Sequence, residues 1–363
     1  MIILITGMNQ SFINKIKSEK YFYHLRPRAL HPSLYNNLFL ESDRWRYGDL
    51  YGLCYLHRYK IALEPFTKYP TPRNKNENNR ALYIIGDSFL ADKELNGAFD
   101  AFDYVVFLDR RFPFGAIKLD TALDNYLILE FAERNLAQYY KKTSPGIKLP
   151  IGEKQLNITK SASENSSKKD LKGKSITSRI HDIIFNKDLD RNLQLLIFDN
   201  KYLTPVKELK AQINYTLFNR LPADVSESTS KDRLFLGITV DTSSNQSAMR
   251  QISDSNVNKI CRALRFDYNY YREIGFKDVA ISIVPNPVSI YNNDSGKYNH
   301  LLERIESQVH VPVISVYDTF KSEKQNLYYR SDAHWNPKGM NLWVEKTNMF
   351  FNESLISGSS SEK

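Results

Sequence analysis

Residues 82–85, Leu-Tyr-Ile-Ile, run unbroken into Gly86-Asp87-Ser88-Phe89, and this junction restricts the fold more than any other stretch. An apolar run too short for a helix and closed by a glycine is the pattern of a strand buried on both faces and ending in a tight turn. Open α/β sheets built from such strands place ligands just beyond their carboxyl ends. Ser88 stands where a nucleophile would act. Gly-Asp-Ser is also an ordinary turn with a helix N-cap, so the tripeptide alone does not decide the matter.

Comparable apolar runs predict further parallel strands at 104–108, 126–130, 279–284 and 313–317. Helical segments are predicted at 133–142, 205–221, 253–274, 297–308 and 340–351. In the 253–274 segment Val257, Ile260, Cys261, Leu264, Tyr268 and Tyr271 keep one face apolar. Strands alternating with helices argue for an α/β fold with a mainly parallel sheet covered on both sides. Residues 192–198 and 234–240 read as two additional strands, forming either a small subdomain or an extension of one sheet edge. Residues 1–79 read as an aromatic-rich, proline-broken N-terminal extension packed on the core. The α/β domain spans 80–352 with an insertion at about 143–245, and 353–363 is a disordered tail. Within the insertion, 160–178 is rich in Ser, Lys and Asn, cannot bury enough apolar surface to order itself, and is expected to be mobile.

A chain of 363 residues with 42% hydrophobic side chains builds a sizeable core, which excludes global disorder. Cys54 and Cys261 give neither a disulfide framework nor a CxxC metal site. No apolar run approaches the ~20 residues of a membrane helix. The apolar start, Met1 to Met8, is either a first strand or the stub of an anchor. The net charge of +9 is uneven: residues 1–80 carry 13 basic and 6 acidic side chains, whereas 81–140, around Ser88, carry 5 and 10. Basic residues do not line the functional stretch, so no nucleic-acid partner is expected. An anionic lipid or polysaccharide surface fits the basic regions, as does a merely solvated charge excess.

Near the C-terminus stands Tyr328-Tyr329-Arg330-Ser331-Asp332-Ala333-His334-Trp335-Asn336-Pro337-Lys338-Gly339. Pro337 suits the first turn of the helix that follows, which puts His334 on a loop at a strand's carboxyl side, as Ser88 is. A serine hydroxyl attacks only when a base takes its proton, and that base needs a partner to fix its tautomer. Ser88, His334 and Asp332 supply those roles as nucleophile, base and orienter. His24, His31, His57, His181, His300 and His310 form no ligand cluster, so neither metal nor cofactor is expected. The missing second glycine of a G-x-S-x-G elbow disfavours the α/β-hydrolase fold.

Gly86-Asp87-Ser88-Phe89 early and Asp332-Ala333-His334-Trp335 late resemble the SGNH (GDSL-type) hydrolase superfamily. The D-x-H-W-N-P-x-G form, with Glu130-Phe-Ala-Glu133-Arg134-Asn135 after the third strand, resembles its subgroup of polysaccharide O-acetylation proteins, of which the alginate-acetylating ones are familiar. The resemblance implies a flavodoxin-like three-layer α/β/α fold with a mainly parallel five-stranded sheet. It implies an acyl-ester enzyme working on O-acetyl groups of a cell-envelope polysaccharide, as O-acetyltransferase or acetylesterase, with a membrane-bound O-acyltransferase as partner. It also places the chain in the periplasm or another extracytoplasmic site, membrane-associated through an anchor upstream; the alternative is cytoplasmic. Other readings are an inactive carbohydrate-binding or assembly protein and a generic small-ester or lipid esterase. The G-x-N-D block that carries the family's oxyanion asparagine is missing, with Glu133-Arg134 in its place. The Ser88 backbone N–H is then the first oxyanion donor, with Gly115 or Asn286 as a second. Arg134 and Arg330 either bind an anionic substrate group or pair with Glu130 and Glu133; Trp335 is either a sugar platform or buried packing.

Overall fold

The computed structural model describes residues 2–23, 33–69, 78–91, 93–111, 117–137, 187–291 and 298–360. The chain forms two compact units: unit 1 is Met1–Ala62 with Asn157–Pro222, and unit 2 is Leu63–Leu156 with Ala223–Lys363. Among the described residues no helix is long and apolar enough to cross a membrane.

Unit 2 is the α/β domain. Its strands β1 (Arg80–Gly86), β2 (Tyr104–Asp109), β3 (Asp124–Ala132), β6 (Asp278–Val284) and β7 (Val313–Ile314) form one sheet in the order β2-β1-β3-β6-β7. Every pair is parallel, with Ile85 opposite Leu129 and Leu129 opposite Ile281. This is the flavodoxin-like order, in which the strand order switches between β1 and β3. Leu82, Ile84, Leu127, Ile128, Val279 and Ile281 are fully buried, as the continuous apolar runs require for strands covered on both faces. The Asp254–Ile274 helix starts at Ser253, whose side chain accepts from the Asn256 N–H, and stops at Gly275 with φ +118°, a left-handed cap that favours glycine. Its Val257, Ile260, Cys261 and Leu264 face the core. The long Pro337–Ser360 helix anchors on the sheet where Trp343 Nε1 donates to Ser282 Oγ of β6, at 2.8 Å. A separate antiparallel pair, β4 (Val225–Glu227) and β5 (Leu234–Leu236), belongs to the same unit.

Unit 1 is helical where described, with helices Ile2–Met8, Gln10–Tyr23, Leu189–Leu193 and Thr204–Phe218. Polar contacts join its two chain segments. Lys20 Nζ lies 2.8 Å from Asp199 Oδ2, and Asn192 Nδ2 donates to the Gly7 carbonyl at 2.9 Å.

Several expectations change. The apolar start is a helix, not a strand, and 192–198 is helical throughout. A short apolar run does not distinguish a strand from one helical turn, and tertiary contacts decide. Of 234–240 only Leu234–Leu236 is strand; Gly237–Val240 winds into a helical turn. The last strand is two residues long because Tyr317 already begins the helix Tyr317–Ser322. The final helix runs through Ser360, past the predicted start of a tail. The 160–178 loop, Gly115 and the distal part of the 133–142 helix lie outside the described residues.

Candidate active site

β1 delivers Ser88. After Gly86 the chain turns, and the turn is tied down from three sides. Asp87 N–H donates to Glu130 Oε2 of β3 at 2.7 Å, Phe89 N–H to Asp87 Oδ1 at 3.1 Å, and Ala91 N–H to Asp87 O at 3.0 Å. Gly86 is needed for this, since a Cβ there would sit 2.8 Å from Glu130 Oε2 and 3.0 Å from the Phe107 ring. Glu130 is fully buried, and burial together with the neighbouring Asp87 charge pushes its carboxyl up to about 8. Among the described residues no acceptor takes the Ser88 N–H, and Ser88 itself is half-buried.

The second half of the site is a loop folded back on itself. Tyr328 and Trp335 form an antiparallel bridge, Tyr329 N–H donates to His334 O at 3.2 Å, and Asn336 N–H to Leu327 O at 2.9 Å. Tyr328 hydroxyl donates to the Pro285 carbonyl at 2.6 Å, which ties the loop to the end of β6. Inside the loop one oxygen orients the histidine. Asp332 Oδ1 accepts from the His334 N–H at 2.9 Å and lies 2.6 Å from its Nδ1. A residue two places away thus reaches the ring through a tight Asx-type turn, not an extended strand. With Nδ1 bound to the carboxylate, Nε2 is the ring's acceptor, and it stands 2.9 Å from Ser88 Oγ. The structure therefore brings Ser88, His334 and Asp332 into one hydrogen-bonded relay. Asp332 is buried at 8% exposure, while the His334 side chain keeps 25%.

Trp335 is not a sugar platform. It is fully buried, donates from Nε1 to Phe89 O at 3.0 Å, and packs edge-on against the Phe89 ring, clamping the nucleophile turn to the histidine loop. Asn286 is 1% exposed, so its side chain is sealed from substrate; its backbone N–H donates to Glu133 Oε2 at 2.7 Å. Glu133 also accepts from Ser289 Oγ at 2.7 Å, and its complete burial raises its carboxyl to about 7. Glu130 and Glu133 thus bond backbone amides of neighbouring turns, and not Arg134 as one of the two alternatives had it. Arg134 lies over the Phe89 ring at 5.2 Å, beside the nucleophile turn. Arg330 is exposed on the histidine loop, where its carbonyl accepts from Leu234 N–H of β5 at 2.8 Å.

One residue went unassigned at the sequence level. Asn135 follows β3, the strand next to β1, and its exposed side chain donates from Nδ2 to Asp87 Oδ2 at 3.4 Å. A two-proton amide held there has a second N–H to offer on the Asp87 side of the nucleophile turn. Its only sequence signal is its place just past a strand that neighbours the nucleophile's strand. Compared with protein-family models, with curated proteins and with solved structures, the chain finds no match in any of the three.

Proposed function

We propose that the chain is a Ser-His-Asp acyl-ester enzyme acting on O-acetyl groups of a cell-envelope polysaccharide, as O-acetyltransferase or acetylesterase. The observation that carries the reading is the 2.9 Å contact from Ser88 Oγ to His334 Nε2, backed by the 2.6 Å contact from Nδ1 to Asp332. Ser88 Oγ attacks the acetyl carbonyl carbon as its proton passes to Nε2, and Asp332 stabilises the imidazolium formed. The carbonyl oxygen, now anionic, takes the Ser88 backbone N–H and the Asn135 amide as donors. Collapse expels the first alcohol, protonated by His334, and leaves acetyl on Ser88. A second hydroxyl, from water or from a sugar, then reverses the steps. The polysaccharide part of the proposal rests on the SGNH-like motifs alone. The competing reading, a carbohydrate-binding protein without turnover, rests on the missing G-x-N-D block, and Asn135 supplies an amide at that place.

The test is peptide mass spectrometry after brief exposure to a small acetyl ester. An acetyl group on the Ser88 peptide is expected, absent in Ser88→Ala and formed far more slowly in His334→Ala, which lacks the base that takes the Ser88 proton. A chain that binds acetylated oligosaccharide and never acquires the adduct is the binding protein instead. Adding a deacetylated oligosaccharide as acceptor then separates transfer from hydrolysis.

A further inference from the structure

The Thr204–Phe218 helix of unit 1 is mounted inside out. Val206, Leu209, Ile213 and Leu217 recur at i, i+3, i+7 and i+11, one narrow stripe, and are 44% to 70% exposed. Phe198 and Tyr202 just before the helix are also exposed. The opposite face is held inward by polar groups. Glu208 accepts from the Tyr51 hydroxyl at 2.6 Å and lies 2.9 Å from Lys60 Nζ, while Lys207 Nζ donates to the Tyr55 hydroxyl at 3.0 Å. These contacts fix the helix about its axis, so the stripe cannot turn in to the core without breaking them. Exposing four aliphatic side chains is unfavourable by roughly 25 cal/mol per Å² of apolar surface, which marks the face as one that something covers.

Charge identifies the cover. Unit 1 contains 21 Lys and Arg against 11 Asp and Glu, a surplus of ten, whereas unit 2 contains 29 against 30. The whole basic excess of the chain lies on the unit that carries the stripe. A cavity of about 530 Å³ beside the helix is lined by Lys207, Lys210, Arg220 and Tyr55 and by no acidic side chain. A second copy of the chain would set one strongly cationic unit against another. An anionic lipid surface satisfies both features, since interfacial helices bury an apolar face among acyl chains while flanking cations meet the headgroups.

We propose that unit 1 docks on an anionic phospholipid bilayer, with the Val206–Leu217 stripe in the interface and a lipid phosphate seated near Lys207, Lys210 and Arg220. The proposal rests on unit 1 alone and stands whether or not Ser88 is catalytic.

The test is co-sedimentation of the full chain with vesicles. The wild type is expected to sediment with vesicles of phosphatidylcholine containing one quarter phosphatidylglycerol, to leave them in high salt, and to ignore pure phosphatidylcholine. Leu209→Ser with Leu217→Ser, both exposed positions, should weaken binding by about tenfold or more with an unchanged circular dichroism spectrum. Lys210→Glu should also weaken it, but less than the double variant does. The proposal fails if the double variant binds like the wild type or if the wild type binds neither vesicle. It fails equally if the wild type forms a concentration-dependent dimer that the double variant abolishes, which would assign the stripe to a second copy.

Discussion

Asp332 performs two tasks with one oxygen, bonding the backbone N–H and the ring Nδ1 of His334. Asp332→Asn keeps an acceptor for the backbone and removes the charge that favours the imidazolium. It is expected to lower kcat by about 10³- to 10⁴-fold with KM and melting temperature little changed, as steady-state kinetics and a thermal melt would show. Asn135→Ala is expected to cost about 10²-fold in kcat, the usual loss for one oxyanion donor. An unchanged kcat would leave the Ser88 N–H as the only donor of the pair proposed. The triad was legible in the sequence because Ser, His and Asp carry their chemistry in their identity. Asn135 and Glu130 were not, because their meaning comes from β3 lying beside β1, with Ile85 opposite Leu129. Trp335 stayed open between platform and packing for a related reason, since an indole in a motif says nothing of which way it faces, and the structure gives packing.

The first four strands of the sheet were read correctly, whereas the extra strand at 192–198 was not and the one at 234–240 was right only in its first half. β1, β3 and β6 are apolar runs that no exposed segment would carry, and the Asp254–Ile274 helix has a cap, a face and a stop. The 192–198 run, Asn-Leu-Gln-Leu-Leu-Ile-Phe, has strand composition and folds as helix, because Asn192 is drawn to Gly7 and Gln10 of the N-terminal helices. The histidine loop depends on an element boundary. Asn336 Oδ1 accepts from the N–H groups of Lys338 and Gly339 at 3.0 and 3.1 Å, capping the last helix directly after His334 and Trp335. Gly339 lets that helix approach the loop, since a Cβ would lie 2.3 Å from the Leu327 carbonyl oxygen and 2.9 Å from Trp335 Cβ. Gly339→Ala is thus expected to push the loop's first leg away, lowering stability by about 1–3 kcal/mol in denaturant titration. Activity should fall by more than that loss of folded protein explains, because His334 shifts relative to Ser88. Glu345→Ala, an exposed site on the same helix, should change neither.

At the scale of the whole molecule, the division into two units was the least legible feature. It rests on contacts such as Lys20 with Asp199, 179 residues apart, which no local pattern announces. The sheet unit carries its own global signature in two carboxyls buried at the carboxyl end of β3. Burial raises Glu130 to about 8 and Glu133 to about 7, from an ordinary value of 4.5. Between pH 4.5 and those values the folded chain holds protons that the unfolded chain has released. Stability contributed by these groups is therefore greatest at the acid end of the window and declines as pH rises through 7 and 8. Glu130→Gln keeps a carbonyl oxygen for the Asp87 N–H and removes the ionisation. Its unfolding free energy, followed through the fully buried Trp335 and Trp343, should fall less steeply than the wild type's between pH 5 and 8 and exceed it at pH 8. Glu133→Gln should act in the same direction over a window that closes nearer pH 7. Parallel curves for wild type and Glu130→Gln would mean that Glu130 ionises as readily in the folded chain as in the unfolded one. The Ser88 turn would then rest on a charged carboxylate, and the retained proton would have no part in holding the sheet and its nucleophile together.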